Sequence, residues 1–318
     1  MIFFIGMTIH VSMETHSIVK QDGEEMLQAT GDSLAEELKL ELEKPLASVR
    51  TLSATVAGML EQEITPSREE ANVMLQQLFE HHPQIASAWM YWEEDAFDGN
   101  DSQYVNTEGH DETGRFIPVW TRTDSGDFFV EPLREEGETV QHLNAVLESG
   151  EPAIWEPFTY ELNGEEQLVS SIVAPITYNG ETVGMTGVYI SLEYLHHRLN
   201  ERTFYNTGFA GLISNEGIVL SHRNPELIGT NFFEIKELQQ HERLKLVQDA
   251  VNAGGKAVIE NYSDVLNEEV YSLFTPISIQ GITTPWSAFI SAPADEVTKE
   301  ARQLTTMIVS VSTVVSII

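Results

Sequence analysis

Residues 114–122 read Gly-Arg-Phe-Ile-Pro-Val-Trp-Thr-Arg, and they combine the residue types best suited to holding a small organic molecule. As a strand, alternation puts Phe116, Pro118, Trp120 and Arg122 on one face. That face is aromatic and ends in a fixed positive charge, in a chain where positive charge is scarce. Aromatic rings can stack on an organic ligand, and a guanidinium fork can hold its anionic group. The same pattern also fits a core strand whose Arg pairs with one of many carboxylates. Two aromatic clusters flank this stretch: Trp89-Met90-Tyr91-Trp92 before it, and Trp155-Glu156-Pro157-Phe158-Thr159-Tyr160 after it. Trp89 and Tyr91 share one strand face, Met90 and Trp92 the other. One pair should pack on a helix and the other look into a pocket, and the residues alone leave open which. The candidate ligand contacts are Tyr91, Trp120, Trp155, Tyr160 and Tyr189, with Arg122 or Arg115 as the charged anchor.

Other chemistries find less support. There is no Gly-x-Ser-x-Gly elbow and no Gly-rich phosphate loop. Paired carboxylates are uninformative in a chain with 50 acidic residues. The adjacent pairs His81-His82 and His196-His197 do not face one metal site if helical. The acidic stretch 93–101 lacks EF-hand spacing and reads as a solvated loop. With no Cys, disulfides and thiolate sites are excluded. The reading is a non-enzymatic protein without a cofactor or metal; a membrane-anchored enzyme and an adhesive ectodomain are the rival classes.

The net charge of -33, from 50 acidic against 17 basic residues, argues against nucleic acid as a partner. Hydrophobic content of 42% with 9% aromatics is that of a folded chain, and 318 residues suffice for two domains. Residues 2–11 are almost all apolar, and 304–318 form a second apolar run. Each is shorter than the roughly 20 residues that cross a bilayer. They read as parts of two membrane spans, with buried terminal helices as the alternative.

The elements that position the candidate residues follow from periodicity. From about 13 to 62, Leu34, Leu38, Leu42, Leu46, Val49, Leu52, Val56 and Met59 recur at steps of three and four, an amphipathic helix. Pro45 predicts a kink or a break within it. A helix of about 45 residues would reach roughly 70 Å, which suits a spine passing two stacked modules. A second helix is expected from 66 to 79, then strands at 85–92, 114–122 and 128–130, the last two joined by a turn at 124–127. A short helix at 140–148 precedes strands at 155–160, 167–176 and 182–190, with turns at Asn163-Gly164 and Asn179-Gly180. A helix at 193–202 leads to a second round: strands at 209–214 and 218–222, a helix at 233–252, and strands at 257–262, 269–279 and 286–292. The strand ending Ala174-Pro175-Ile176 reads against the one ending Thr275-Pro276-Ile277, which argues for two copies of one antiparallel module.

In this order, 114–122, the hairpin ending in residues 184–191, and Gly208-Phe209-Ala210-Gly211-Leu212-Ile213-Ser214-Asn215-Glu216-Gly217 resemble a double Cache (dCache) sensor ectodomain. Such ectodomains belong to bacterial methyl-accepting chemotaxis receptors and related transmembrane sensors. The resemblance implies an α+β fold: a long N-terminal helix carrying two PAS-like antiparallel-sheet modules. Its boundaries here are the end of a first transmembrane segment at 1–12, the helix at 13–62, a membrane-distal, ligand-binding module at 63–204, a membrane-proximal module at 205–300, and the start of a second transmembrane helix at 301–318. It further implies a small organic ligand, anchorage in the cell membrane through both termini with the modules extracytoplasmic, and a homodimer through the N-terminal helix. The ectodomain of a histidine kinase or a diguanylate cyclase is the alternative output.

The chain departs from the family's amino-acid-binding pattern. It has Thr139-Val140 where such members carry Trp-Tyr, Phe158-Thr159-Tyr160 where they carry Tyr-x-Asp, and Tyr189 in place of an Asp. A carboxylate, a heteroaromatic or a quaternary amine is therefore expected as ligand ahead of common amino acids, because a buried ammonium needs a counter-charge.

Overall fold

The computed structural model describes residues 2–79, 82–123, 125–162, 164–235, 238 and 242–299, with side chains at 18 and from 20 onward. Helix α1 (Ile2–Glu61) is continuous over 60 residues. Its apolar stripe is buried as expected at Leu34, Leu38, Leu42, Leu46, Val49, Leu52 and Val56. The expected break at Pro45 does not occur. Proline has no N–H, so the carbonyl of Glu41, four residues back, loses its helical donor. The side-chain amide of buried Gln84 supplies that donor, at 3.0 Å from Glu41 O. A residue outside the helix thus makes the proline tolerable.

The chain divides into two compact units. One comprises Leu38–His197 with Ser278–Pro285; the other is formed by the described residues of Met1–Glu37, Arg198–Ile277 and Trp286–Ile318. In the first, α2 (Arg68–Gln77) is started by a capping box, Ser67 with Glu70. Strands β1 (Ile85–Trp92), β2 (Pro118–Arg122), β3 (Phe128–Pro132), β4 (Ala153–Ile154), β5 (Phe158–Leu162), β6 (Glu165–Tyr178) and β7 (Glu181–Ile190) form an antiparallel sheet. The strand order is β3-β2-β1-β7-β6-β4, with β5 also on β6. Helix α3 (Glu138–Ser149) packs against it, and α4 (Leu192–Asn200) follows β7. At the β6–β7 hairpin, Asn179 and Gly180 both take positive φ, 53° and 84°. That is the type I′ turn which Asn-Gly favours. Asp124 and Asn163, each part of another expected turn, lie outside the described residues.

The second unit holds a five-stranded antiparallel sheet of order β10-β11-β12-β8-β9. Its strands are β8 (Phe209–Ile213), β9 (Val219–Ser221), β10 (Ala257–Ser263), β11 (Glu268–Pro276) and β12 (Ser287–Pro293). The repeat read from sequence has a topological counterpart: β7 pairs with β6 and β1, and β12 with β11 and β8. The helix expected over 233–252 is instead a 3-10 turn (Phe232–Glu234) and a later α5 (Leu244–Asn252). Between them, 236, 237 and 239–241 are outside the described residues. Among the described residues no helix is long and apolar enough to cross a membrane; the run at 304–318 is not among them.

Gln84→Ala should destabilise the first unit by about 1–2 kcal/mol, the cost of an unsatisfied, partly buried carbonyl. In a Pro45→Ala background the helix recovers its own donor, so the same substitution should cost about half as much or less. A urea-denaturation double-mutant cycle reads this coupling; equal costs in both backgrounds would refute it.

Candidate functional site

The sheet of the first unit sorts its large side chains by parity. The register runs Glu131–Val119–Trp89–Gly187–Val173 across β3, β2, β1, β7 and β6. Cross-strand partners point to the same side, so Trp89 and, two residues on, Tyr91 belong to this face. Met90 and Trp92 belong to the other, where Trp92 meets Phe97 with ring centroids 4.9 Å apart. The face of Trp89 carries an aromatic cluster.

Trp89 lies 5.4 Å from Trp155 and 6.0 Å from Tyr189, between centroids. Tyr189 lies 5.0 Å from Tyr160, and Phe158 and His142 complete the group. Trp155 is not in a strand: the expected strand 155–160 breaks at Trp155-Glu156-Pro157, between β4 and β5. It is held by its backbone, its N–H donating to Ser171 O at 2.9 Å and its carbonyl accepting from Ser170 Oγ at 2.7 Å. Ser87 and Ser171 lie beside Tyr189 in the register and leave its ring room.

These rings are largely buried, yet polar atoms on three of them lack a hydrogen bond among the described residues. The indole N–H groups of Trp89 and Trp155 make no hydrogen bond among the described residues. The Tyr189 hydroxyl turns toward that of Tyr160 but forms no well-aligned hydrogen bond among the described residues. Buried polar groups are nearly always satisfied, and the exceptions cluster at functional sites. Burial pushes the Tyr160 hydroxyl up to about 12 and that of Tyr189 well above the usual tyrosine value, so both stay neutral. Tyr160 also accepts from the backbone N–H of Arg134 at 2.9 Å.

Beside the cluster opens a cleft of about 500 Å³. Ile117 and Leu133 are shared between cleft and cluster. Arg115 lines the cleft, bonded to Asp111 at 2.9 Å, to the Tyr91 hydroxyl at 3.3 Å and to Glu135. Burial works against its charge, but Asp111 and Tyr91 more than compensate, and its pKa is raised.

The residues singled out from sequence therefore fall into three groups. Trp155, Tyr160 and Tyr189 share the aromatic cluster, with Tyr91 at its edge. Arg115 is in the cleft, its guanidinium already bound to carboxylates. Trp120 and Arg122 are on the opposite face. Trp120 donates to Asn72 Oδ1 on α2 at 2.9 Å, and Arg122 to Phe79 O at 2.8 Å while stacking over Phe79 and Phe128. The aromatic face of 114–122 is thus the one that packs on α2, and its partner face carries Ile117 and Val119 to the cluster. The sequence alone does not single out His142, Phe158 or Glu131, and it leaves open whether the Trp89–Tyr91 pair or the Met90–Trp92 pair lines a pocket. A turn at 124–127 would set Glu131 opposite Trp120, whereas the observed register pairs it with Val119, on the face of the cluster.

The acidic stretch is not a freely solvated loop. Asp98 and buried Asp101 clamp Arg68 of α2 at 2.7 and 2.6 Å, and Arg68 also donates to Gly114 O at 2.8 Å. The start of 114–122 is anchored by this clamp.

A family model of the Cache domain matches residues 14–301. This chain belongs to the Cache-domain family. The Cache chain is 24% identical over 243 residues to methyl-accepting chemotaxis protein TlpQ of Pseudomonas aeruginosa, a match over 71% of the chain and 33% of the relative. It spans about a third of that protein's length. An extracellular domain assigned to a histidine kinase, mmHK1S-Z3, superposes with a TM-score of 0.77 at 25% identity, over 89% of this chain and 98% of that one. The structure of methyl-accepting chemotaxis protein X gives 0.72 at 24% identity over 89% and 99%, and shares the fold.

The Arg68 guanidinium, through its hydrogen bond, holds Asp98 below the usual 3.8. A depressed carboxylate stabilises the fold fully above its unfolded pKa and loses that contribution as pH falls through the folded value. Arg68→Met should therefore cost about 3–5 kcal/mol at pH 7, by stranding Asp101. The gap to the parent should narrow below about pH 3.8. Chemical denaturation at pH 7 and pH 3 checks both; a gap that widens in acid contradicts the clamp.

Proposed function

We propose that this Cache chain is the extracytoplasmic sensing domain of a membrane signalling receptor, and that its ligand site is the aromatic cluster on β1, β5, β7 and α3. The chemotaxis-receptor reading is supported by the similarity to TlpQ, the histidine-kinase reading by mmHK1S-Z3. Anchorage through both termini, pairing of two copies along α1 and a role without turnover complete the proposal. The observation that carries the site is the set of buried donors on Trp89, Trp155 and Tyr189 left without hydrogen bonds among the described residues. A ligand bearing an acceptor would satisfy them, and the rings offer it broad apolar contact.

Arg115 has its donors committed to protein groups, and Arg122 serves α2. These contacts favour placing the anchor elsewhere than on the two arginines named from the sequence. The anchor function passes to the cluster's own polar atoms.

A ligand at 100 times its Kd stabilises a fold by about 2.7 kcal/mol, a shift of several degrees in melting temperature. In a thermal-shift screen of amines, organic acids, amino acids and purines, a binder's shift should vanish in Trp155→Ala and fall sharply in Tyr189→Phe. Trp120→Ala should lower the melting temperature of the free protein while preserving the shift. Loss of the shift in Trp120→Ala and its survival in Trp155→Ala would move the site to the α2 face.

A further inference from the structure

The segment 101–116 is held to α2 by a cluster of stacked groups. The Arg68 guanidinium lies 4.0 Å from the centre of the Tyr104 ring and 5.6 Å from that of Phe116. The same two rings hold His110: Tyr104 at 5.1 Å between centroids with planes 16° apart, and Phe116 at 5.6 Å. His110 is only 7% exposed and lines the cleft. Its Nδ1 lies 2.7 Å from Glu108 O and 3.0 Å from Thr107 Oγ1. A carbonyl only accepts, so Nδ1 carries the hydrogen of the neutral ring and Nε2 is a bare lone pair. That Nε2 is buried and has no hydrogen-bond partner among the described residues.

Charges surround the imidazole on several sides. Asp98 and Asp101 are committed to Arg68 of α2. On the segment of His110 itself, Asp111 is tied to Arg115. Glu112, Glu131, Glu135 and Glu136, with Arg134, line the rest of the cleft. The charges that act most on His110 are Arg68, which opposes a proton, and Asp101 and Asp98, which favour one. Burial is the largest influence. With Arg68 it outweighs the Glu108 carbonyl and the carboxylates, so the imidazole titrates below its usual 6.5.

We propose that His110 is an acid-operated latch: a proton on Nε2 drives the imidazole out of its stack, and the segment 101–116 loosens from α2. The proton would be buried without an acceptor. It would also add a second cation against two rings that Arg68 already uses. Asn106, Asp111 and Arg115 of the same segment line the cleft, so acid alters one of its walls. A base whose folded pKa is lowered contributes its full stability above its unfolded value. That contribution starts to be lost as pH falls through 6.5 and is gone once pH has passed the folded value. The latch is independent of where the ligand binds.

The test uses the 318-residue chain. With carbon-13 in the histidine rings, the His110 resonance, assigned by its loss in His110→Phe, should titrate with a midpoint below 6.5. Hydrogen exchange, corrected for its intrinsic pH dependence, should be faster in peptides covering 101–116 at pH 5.0 than at pH 7.5. The acceleration should lie between about threefold and about 30-fold, the upper bound being the protonated-to-neutral ratio at pH 5.0 of a group titrating at 6.5. Helix α5 should keep its protection. His110→Phe keeps a ring in the stack without a site for the proton, and should lose the acceleration. His110→Gln, a second side chain that does not titrate, should lose it as well. A midpoint at or above 6.5, equal protection of 101–116 at both pH values in the parent, or an undiminished acceleration in either variant overturns the inference.

Discussion

The indole of Trp89 lies across Gly187, its partner on the neighbouring strand, and the arrangement of the first unit depends on that contact. A Cβ on Gly187 would come within 2.2 Å of the ring. The missing side chain lets a fully buried tryptophan lie flat against the middle of the sheet. With Trp89 seated, Trp155 and Tyr189 pack on its flanks, Tyr160 and Phe158 on theirs, and the cluster grows outward from the centre of the sheet. Overpacking that one position would displace the first ring, and with it every ring above.

The two faces of the sheet do different work. One carries the rings, and the other meets α1, where Ser53 donates to Ala174 O of β6 at 3.0 Å. The connection between them is short in covalent terms. Tyr189 is two residues from Ser191, whose N–H donates to Gln84 O at 2.8 Å, and the Gln84 side chain in turn serves the carbonyl that Pro45 leaves open in α1. A single strand end therefore joins the aromatic cluster to the point where Pro45 takes a helical donor from the long helix.

Much of this was legible in the sequence, and the reasons for the rest are physical. The i, i+3, i+4 stripe of α1 and the Asn179-Gly180 hairpin are local signals, and local interactions decide them. The alternation of Trp89, Met90, Tyr91 and Trp92 showed that two faces exist, but which one lines a site depends on what packs there, and that is tertiary. The richly aromatic face of 114–122 is ambiguous for the same reason. Trp120 and Arg122 are as well suited to capping α2 as to holding a ligand, and Asn72 and Phe79, which bind them, lie more than forty residues away in the chain. Pro45 predicts a kink or a break, and the donor that spares the helix the break comes from a glutamine in another part of the chain. Glu131 was hidden among 50 acidic residues until the strand register singled it out.

The central claim is that sensing takes place on the Trp89 face of the sheet. The chain has five tryptophans, and they mark both faces. Trp89 and Trp155 stand in the cluster, Trp92 and Trp120 on the far side, and Trp286 in the other unit. Replacing all five with 5-fluorotryptophan gives one fluorine resonance each, assignable by single Trp→Phe substitutions. Titrating in the strongest binder from a metabolite screen should shift the Trp89 and Trp155 resonances first and most, with Trp120 and Trp286 stationary at low occupancy. A titration in which Trp120 moves and Trp155 does not would contradict the account.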